Sequence, residues 1–260
     1  MISSTKNPKV QWIRRLQRKG TARQSEGLFV VEGVRLTEET VKSSWKINYL
    51  VYTEGLKNRG QKLIDELNEK DIQVEEVSPH VMQAISDTKS PQGILAVVSM
   101  QSLFVQDQVD FVLILDQIRE PGNLGTILRS SLAAGVQMAI LTPGTVDPYS
   151  PKVLRAGMGA QMKLPIQFHA WNEIESIVKD SKLSVFLSDV GSGKVYHQCD
   201  LSKPLALIVG GEAEGATEAA RQVADSMIHI PMLGGCESLN VSVSAGILLF
   251  EIARQRETSK

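Results

Sequence analysis

From Met1 to about Ser99 the apolar positions follow two spacings. Near 8–19, 34–43, 59–69 and 79–86 they recur every three or four residues, as on a helix with one buried face. Near 28–32, 47–52, 72–77 and 93–99 they bunch into short runs rich in Val, Ile, Leu and Tyr, as in strands. Asn68 and Asp71 help to punctuate the third helix, and Ser78-Pro79 reads as a cap followed by a proline where a helix tolerates one. A small α/β domain is expected over 1–99, followed by a polar linker at 100–110. Phe111–Asp116 is then an unbroken apolar run of strand length, suited to burial on both faces. Similar runs at 138–141, 185–188, 205–209 and 227–230 are separated by helical stretches near 124–134, 151–159, 172–179 and 216–224. This alternation predicts a second α/β domain over 111–260, a parallel sheet covered by helices. The final helix is expected to start near Ser238 and run to Arg256, with Leu239, Val243, Ile247 and Phe250 on one stripe and Ser242, Ala245 and Gly246 beside it.

The chain has 260 residues, enough for two modest cores without disulfide staples. No apolar run approaches a membrane span. Cys199 and Cys236 lie far apart and no secretory leader is evident, so a reducing cytoplasm is the expected setting. Neither a His nor an acid stands in a recognisable arrangement with Cys236, which argues against a thiol nucleophile. His80, His169, His197 and His229 lack metal-ligand spacing, so no metal is assigned. The net charge of −1 does not suggest a nucleic-acid binder, but its distribution does. Lys6, Lys9, Arg14, Arg15, Arg18, Lys19 and Arg23 occupy the first 25 residues without a single acid, a plausible phosphate-contacting surface. The alternatives are a solvated helix face or a targeting peptide.

Three segments carry the candidate chemistry. The first is Asp116-Gln-Ile-Arg-Glu-Pro-Gly-Asn-Leu-Gly-Thr-Ile-Leu-Arg129, the second Val209-Gly-Gly-Glu-Ala-Glu-Gly215. The third runs from Ile230-Pro-Met through Glu237-Ser-Leu-Asn-Val-Ser-Val-Ser-Ala-Gly246. The glycine fingerprint of a dinucleotide site is missing, which removes a nucleotide-dependent oxidoreductase. Taken alone, Asn123 reads as an N-cap and Arg129 as a solvated arginine. Together, and in this order, the segments resemble the three motifs of the SpoU/TrmH family of RNA ribose methyltransferases. The second departs from the commonest form, which has Asn where Gly211 stands and Gly where Ala213 stands. Ser3-Ser-Thr-Lys-Asn-Pro-Lys-Val and Phe29-Val-Val-Glu-Gly-Val-Arg-Leu36 resemble the start of the family's substrate-binding domain.

The resemblance implies a ribosomal-protein-like RNA-binding domain followed by a methyltransferase domain with a deep trefoil knot. It implies methyl transfer from S-adenosylmethionine to a ribose 2′-hydroxyl of structured RNA, large-subunit rRNA ahead of tRNA, by a homodimer. A non-catalytic RNA-binding or ribosome-assembly factor is the alternative. Arg129, Asn123, Glu212, Ser238 and Asn240 would form the catalytic group. Arg129 would act either as the base or as an electrostatic stabiliser of the developing alkoxide, since a guanidinium holds its proton far above neutral pH. The cofactor would lie against Thr142, Pro143, Gly144, Val209, Gly210, Gly211, Ile230, Pro231, Met232, Ser238 and Leu239. RNA contacts would add Arg35 and Arg155 to the basic residues of the first 25, with Lys152 less certain.

Overall fold

The computed structural model describes residues 1–70, 72–211 and 215–258. The chain forms two compact units: Met1–Gln101 with Asp147–Met162, and Ser102–Val146 with Lys163–Lys260. Residues 147–162 therefore pack with the first unit, although they lie within the range that the sequence reading gave to the second domain.

In the first unit, α1 (Pro8–Arg18), α2 (Gly20–Glu26), α3 (Val34–Lys42), α4 (Asn58–Glu69) and α5 (Pro79–Ile85) accompany β1 (Leu28–Glu32), β2 (Ile47–Tyr52), β3 (Gln73–Glu76) and β4 (Ile94–Ser99). The strands are ordered β1-β4-β2-β3, with β4 antiparallel to both neighbours and β2 parallel to β3. Asn7 caps α1 by accepting from the Lys9 N–H, and Ser78 caps α5 by accepting from Val81, with Pro79 at the first helical turn. α4 passes through Asn68 to Glu69, and Asp71 lies outside the described residues. Val10, Ile13 and Leu16 of α1 meet Val81, Met82 and Ile85 of α5 above Val30, Val51 and Val97 of the sheet. One turn of spacing between the α1 residues puts them on a single face, which the sequence periodicity anticipated.

α2 was not anticipated. Its sequence, Gly-Thr-Ala-Arg-Gln-Ser-Glu, has no apolar period, and what it buries is Ala22 and Arg23. Arg23 is 4% exposed; its guanidinium bonds the Leu16 and Gln17 carbonyls and pairs with Asp147 at 2.6 Å. The returning segment carries a short helix, α7 (Pro151–Gly157). It also brings Tyr149 to within 5.0 Å of the Phe29 ring, and Met162, whose carbonyl accepts from the Trp45 indole N–H at 3.1 Å.

The second unit is built on seven parallel strands. They are β5 (Phe111–Asp116), β6 (Met138–Leu141), β7 (Ile166–Phe168), β8 (Ser184–Ser188), β9 (Lys194–Val195), β10 (Leu205–Gly210) and β11 (Ser226–His229). Their order is β7-β6-β5-β10-β8-β11-β9. Helices α6 (Pro121–Ala133), α8 (Trp171–Asp180), α9 (Glu218–Val223) and α10 (Val241–Thr258) complete it. Every residue of β5 is buried, which is why its sequence shows no alternation. The two-residue β9 and three-residue β7 were too short to be seen as apolar runs.

α10 differs from expectation. It begins at Val241, and its buried residues are Val241, Ala245, Leu248, Leu249 and Ile252. The stripe predicted from the sequence lies on another side: Val243 is 49% and Phe250 54% exposed. Both faces of this helix are apolar, so spacing alone does not distinguish them.

Candidate active site

The first motif leaves the buried β5 and turns at once into α6. Glu120 caps that helix, its carboxylate accepting from the Gly122 N–H, and Pro121 takes the first position, where no N–H is needed. Asn123 is thus the third helical residue and not the cap expected from the sequence. Arg129, six residues further along α6, is exposed and has no hydrogen-bond or ion-pair partner among the described residues.

The third motif supplies the start of α10. Asn240 is its cap: the side-chain Oδ1 accepts from the Ser242 N–H at 2.9 Å and its hydroxyl at 2.6 Å, and its carbonyl accepts from Val243 and Ser244. Its amide nitrogen then donates to Asn123 Oδ1 at 3.1 Å. This bond joins the first and third motifs. Ser238, near which the sequence reading began this helix, precedes it and is exposed.

A cavity of about 500 Å³ opens beside these residues at the carboxyl ends of the strands, where ligands bind in open α/β sheets. Ser188–Val190 at the end of β8 form one wall, and Val209–Gly211 at the end of β10 form the next. Gly215 and Ala216 continue it, and Ser238–Val241 with Ser244 close it from the α10 side. Of the residues singled out in the sequence, Val209, Gly210, Gly211, Ser238, Leu239 and Asn240 thus line this one cavity. Space here is set by missing side chains: a Cβ on Gly210 would meet the Ala216 nitrogen at 2.6 Å, and one on Gly211 the Gln117 carbonyl at 2.8 Å. A slot of this size, with glycines in its wall and a few polar side chains, suits an adenosyl ligand. Glu212, the motif carboxylate, lies outside the described residues.

Thr142, Pro143, Gly144, Ile230, Pro231 and Met232 do not line this cavity. Thr142 is fixed by its own hydrogen bonds. It is buried after β6, its hydroxyl bonding Asp116 Oδ1 at 3.2 Å and accepting from the Gln117 N–H at 3.1 Å. Asp116, 0% exposed, also accepts from the Thr217 N–H at 2.8 Å. One buried carboxylate thereby ties the start of the first motif to the segment that follows the second.

The sequence reading missed the β8 wall. Asp189 and Arg221 both line the cavity and pair at 2.7 Å. Arg221, with further bonds from the Ser192 hydroxyl and the Val190 N–H, holds the Asp189 carboxyl below the usual range. No motif marks these residues; the signal is the strand order, which sets β8 directly against β10 and leaves β6 on the far side of β5.

The expected RNA-binding residues separate into engaged and unengaged groups. Lys9 pairs with Glu75 at 2.6 Å and sits 4.9 Å above the Tyr49 ring; Arg15 pairs with Glu26, Arg23 with Asp147 and Arg155 with Asp87. Lys6, Arg18, Lys19 and Arg35 are exposed, and Arg14 is half-buried.

Residues 110–250 match the SpoU rRNA Methylase family, and residues 7–96 match the MRM3-like substrate binding domain. The chain is 31% identical to the 23S rRNA (guanosine(2553)-2'-O)-methyltransferase RlmP of Bacillus subtilis, over 96% of this chain and 98% of that protein. The structure of the AdoMet-bound rRNA methyltransferase from Sinorhizobium meliloti is similar with a TM-score of 0.86 at 30% identity, covering 97% of each chain. That of the SpoU methyltransferase AviRb from Streptomyces viridochromogenes, in complex with AdoMet, is similar with a TM-score of 0.87 at 26% identity, covering 97% of this chain and 100% of that one.

Proposed function

Because this chain belongs to the SpoU rRNA methylase family, we propose that its first unit captures large-subunit rRNA and its second transfers the methyl group. The activity is S-adenosylmethionine-dependent methylation of a ribose 2′-hydroxyl in rRNA. The Asn123–Asn240 bond beside the 500 Å³ cavity carries the assignment of the reacting centre, because it brings two of the three motifs to one place.

S-adenosylmethionine, when bound, supplies a methyl group on a positively charged sulfur, a good leaving group. What remains for the protein is to hold the 2′-oxygen in line at about 3–3.5 Å and to manage its proton. Backbone of Val209–Gly211 and Ser238–Leu239 would seat the cofactor, with Asp189 and Arg221 steadying the opposite wall. Asn240, fixed by its cap bonds, and Asn123 would orient the ribose. Arg129 is free of internal partners, so its charge is available to the developing alkoxide and the neighbouring phosphate. In this reading Arg129 stabilises charge without accepting the proton, which passes to solvent water, and Glu212 retains an orienting role. Thr142 to Gly144 and Ile230 to Met232 belong to the same proposal as the further cofactor-contacting loops.

The same proposal includes a homodimer and the knotted path of the C-terminal segment. The exposed apolar residues Val243 and Phe250 of α10 support the first, and family membership the second. A reducing cytoplasm suits Cys199 and Cys236, which form no disulfide; no helix among the described residues is long and apolar enough to cross a membrane.

Tritium transfer from labelled S-adenosylmethionine to unmodified total RNA tests the reading. Label is expected in the large-subunit rRNA, lost with Arg129→Ala and largely recovered with Arg129→Lys if charge is what matters. Label confined to tRNA would overturn the substrate, and binding of RNA without any transfer would favour an assembly factor.

A further inference from the structure

Two adjoining depressions of about 560 and 280 Å³ lie on the first unit and share Arg14 and Arg18. These two residues are one turn apart, so α1 presents them on the same face. The larger depression follows α1 to Lys19; the smaller is walled opposite by the α5–β4 loop, ending at Lys89. Resting on the reading of this unit as an RNA-binding domain, we infer that this groove seats the sugar-phosphate backbone of the substrate RNA, with Arg14, Arg18, Lys19 and Lys89 as its phosphate contacts.

Ion pairing distinguishes the groove from the rest of the basic arm. Asp87 is the carboxylate among the residues of the smaller depression, and Arg155 pairs with it at 2.7 Å. Arg15, at the larger depression, is matched by Glu26. Arg14, Arg18, Lys19 and Lys89 have no ion-pair partner among the described residues. Four unmatched positive charges therefore converge on one concave surface, whereas Lys9, Arg15, Arg23 and Arg155 are each occupied by a carboxylate.

The groove is also built and not merely lined. Glu32, from β1, accepts from the Ser86 and Thr88 hydroxyls and from the Asp87 N–H at 3.0 Å, fixing the loop that faces α1. Gln83 donates to the Lys89 carbonyl at 3.4 Å and fastens the loop's far end. Arg14 Nε is buried and has no acceptor, a donor still lacking its hydrogen-bond partner. Fixed cations on a fixed loop suit phosphates, which position an RNA without reading its bases.

The test measures binding of a large-subunit rRNA transcript, made in vitro and so unmodified, across a salt series. Arg14→Gln, Arg18→Gln and Lys89→Gln are compared with wild type and with Arg59→Gln, whose arginine is paired with Glu38 elsewhere on this unit. Each groove variant is expected to weaken binding about ten-fold at low salt and to flatten the slope of log K against log salt by about 0.7–0.9. Affinity for S-adenosylhomocysteine should stay at the wild-type value, showing that the second unit is intact, and Arg59→Gln should match wild type in both measurements. Wild-type affinity and slope in the three groove variants would overturn the groove while leaving the enzyme assignment standing. Failure of the wild-type protein to bind the transcript would overturn the domain reading, and the groove with it.

Discussion

Asn240 donates to Asn123 across 117 residues of sequence, and the same Asn240 side chain caps the helix that follows it. The two tasks use opposite ends of one amide: the oxygen holds α10, and the nitrogen holds the first motif. Asn123→Ala should therefore spare the helix, while Asn240→Ala should also cost about 1 kcal/mol of stability through the lost cap. Either change should lower kcat by roughly a hundred-fold by loosening the reacting geometry. The double variant should be little worse than Asn240→Ala alone, because the residues act as a unit. Independent, additive losses in a kinetic double-mutant cycle would show that the bond has no part in the reaction.

Gly211 stands where the commonest form of the second motif has asparagine. An added Cβ would sit 2.8 Å from the Gln117 carbonyl, a backbone atom that cannot simply swing aside. Gly211→Asn should thus destabilise this protein by roughly 1–3 kcal/mol and raise the KM for S-adenosylmethionine. Thermal melts with and without S-adenosylhomocysteine would check it; wild-type melting and KM would mean that the Gln117 turn yields freely.

The exposed side of α10 tests the oligomer. Phe250→Glu should leave the monomer's fold intact, since the ring is already half in solvent. In a two-fold assembly the new charge appears twice across the interface, so the dimer should dissociate at micromolar concentration. Sedimentation velocity distinguishes the outcomes, and an unaltered dimer would place the interface elsewhere.

Acid sensitivity should localise to the last turns of the same helix. Arg254, and after it Gln255, hold the Glu251 carboxyl at about 2, well below an ordinary glutamate. A depressed value means that the stabilisation is fully present above about pH 4.3 and fades as pH falls toward 2. Urea unfolding of wild type and Glu251→Gln should accordingly differ at pH 7 and converge only as pH approaches about 2. A gap that persists at pH 2 would assign the effect to packing.

Much of this architecture could be read from spacing. Helices such as α1 and α5 bury one face, and β5 up to Leu115 and β10 are unbroken apolar runs, so both kinds of pattern are visible in the sequence. Three kinds of feature were not. A buried arginine that bonds carbonyls, Arg23, gives α2 no apolar signature. A helix apolar on two sides hides which side is inward, and in α10 Val243 and Phe250 turned out to face away from the core. Strand order is set by pairing between distant segments, so nothing in the sequence placed Asp189, at the end of β8, beside Val209–Gly211 at the end of β10. The motif residues around Gly210 and Asn240 were found by resemblance, because neither glycines nor a lone amide has a periodic signal.

The discontinuity of the first unit has a consequence for how the protein is made and cut. Residues 1–101 alone would leave the Arg23 guanidinium in its buried setting without Asp147, and Trp45 without the Met162 carbonyl. An unmatched buried charge costs several kcal/mol, so a fragment ended at the linker should be a poor autonomous module. On the ribosome, this unit can close only after residue 162 has emerged, by which time β5 and β6 of the other unit are already synthesised. Grafting the RNA-binding unit onto a different enzyme would require transplanting two separated stretches of chain.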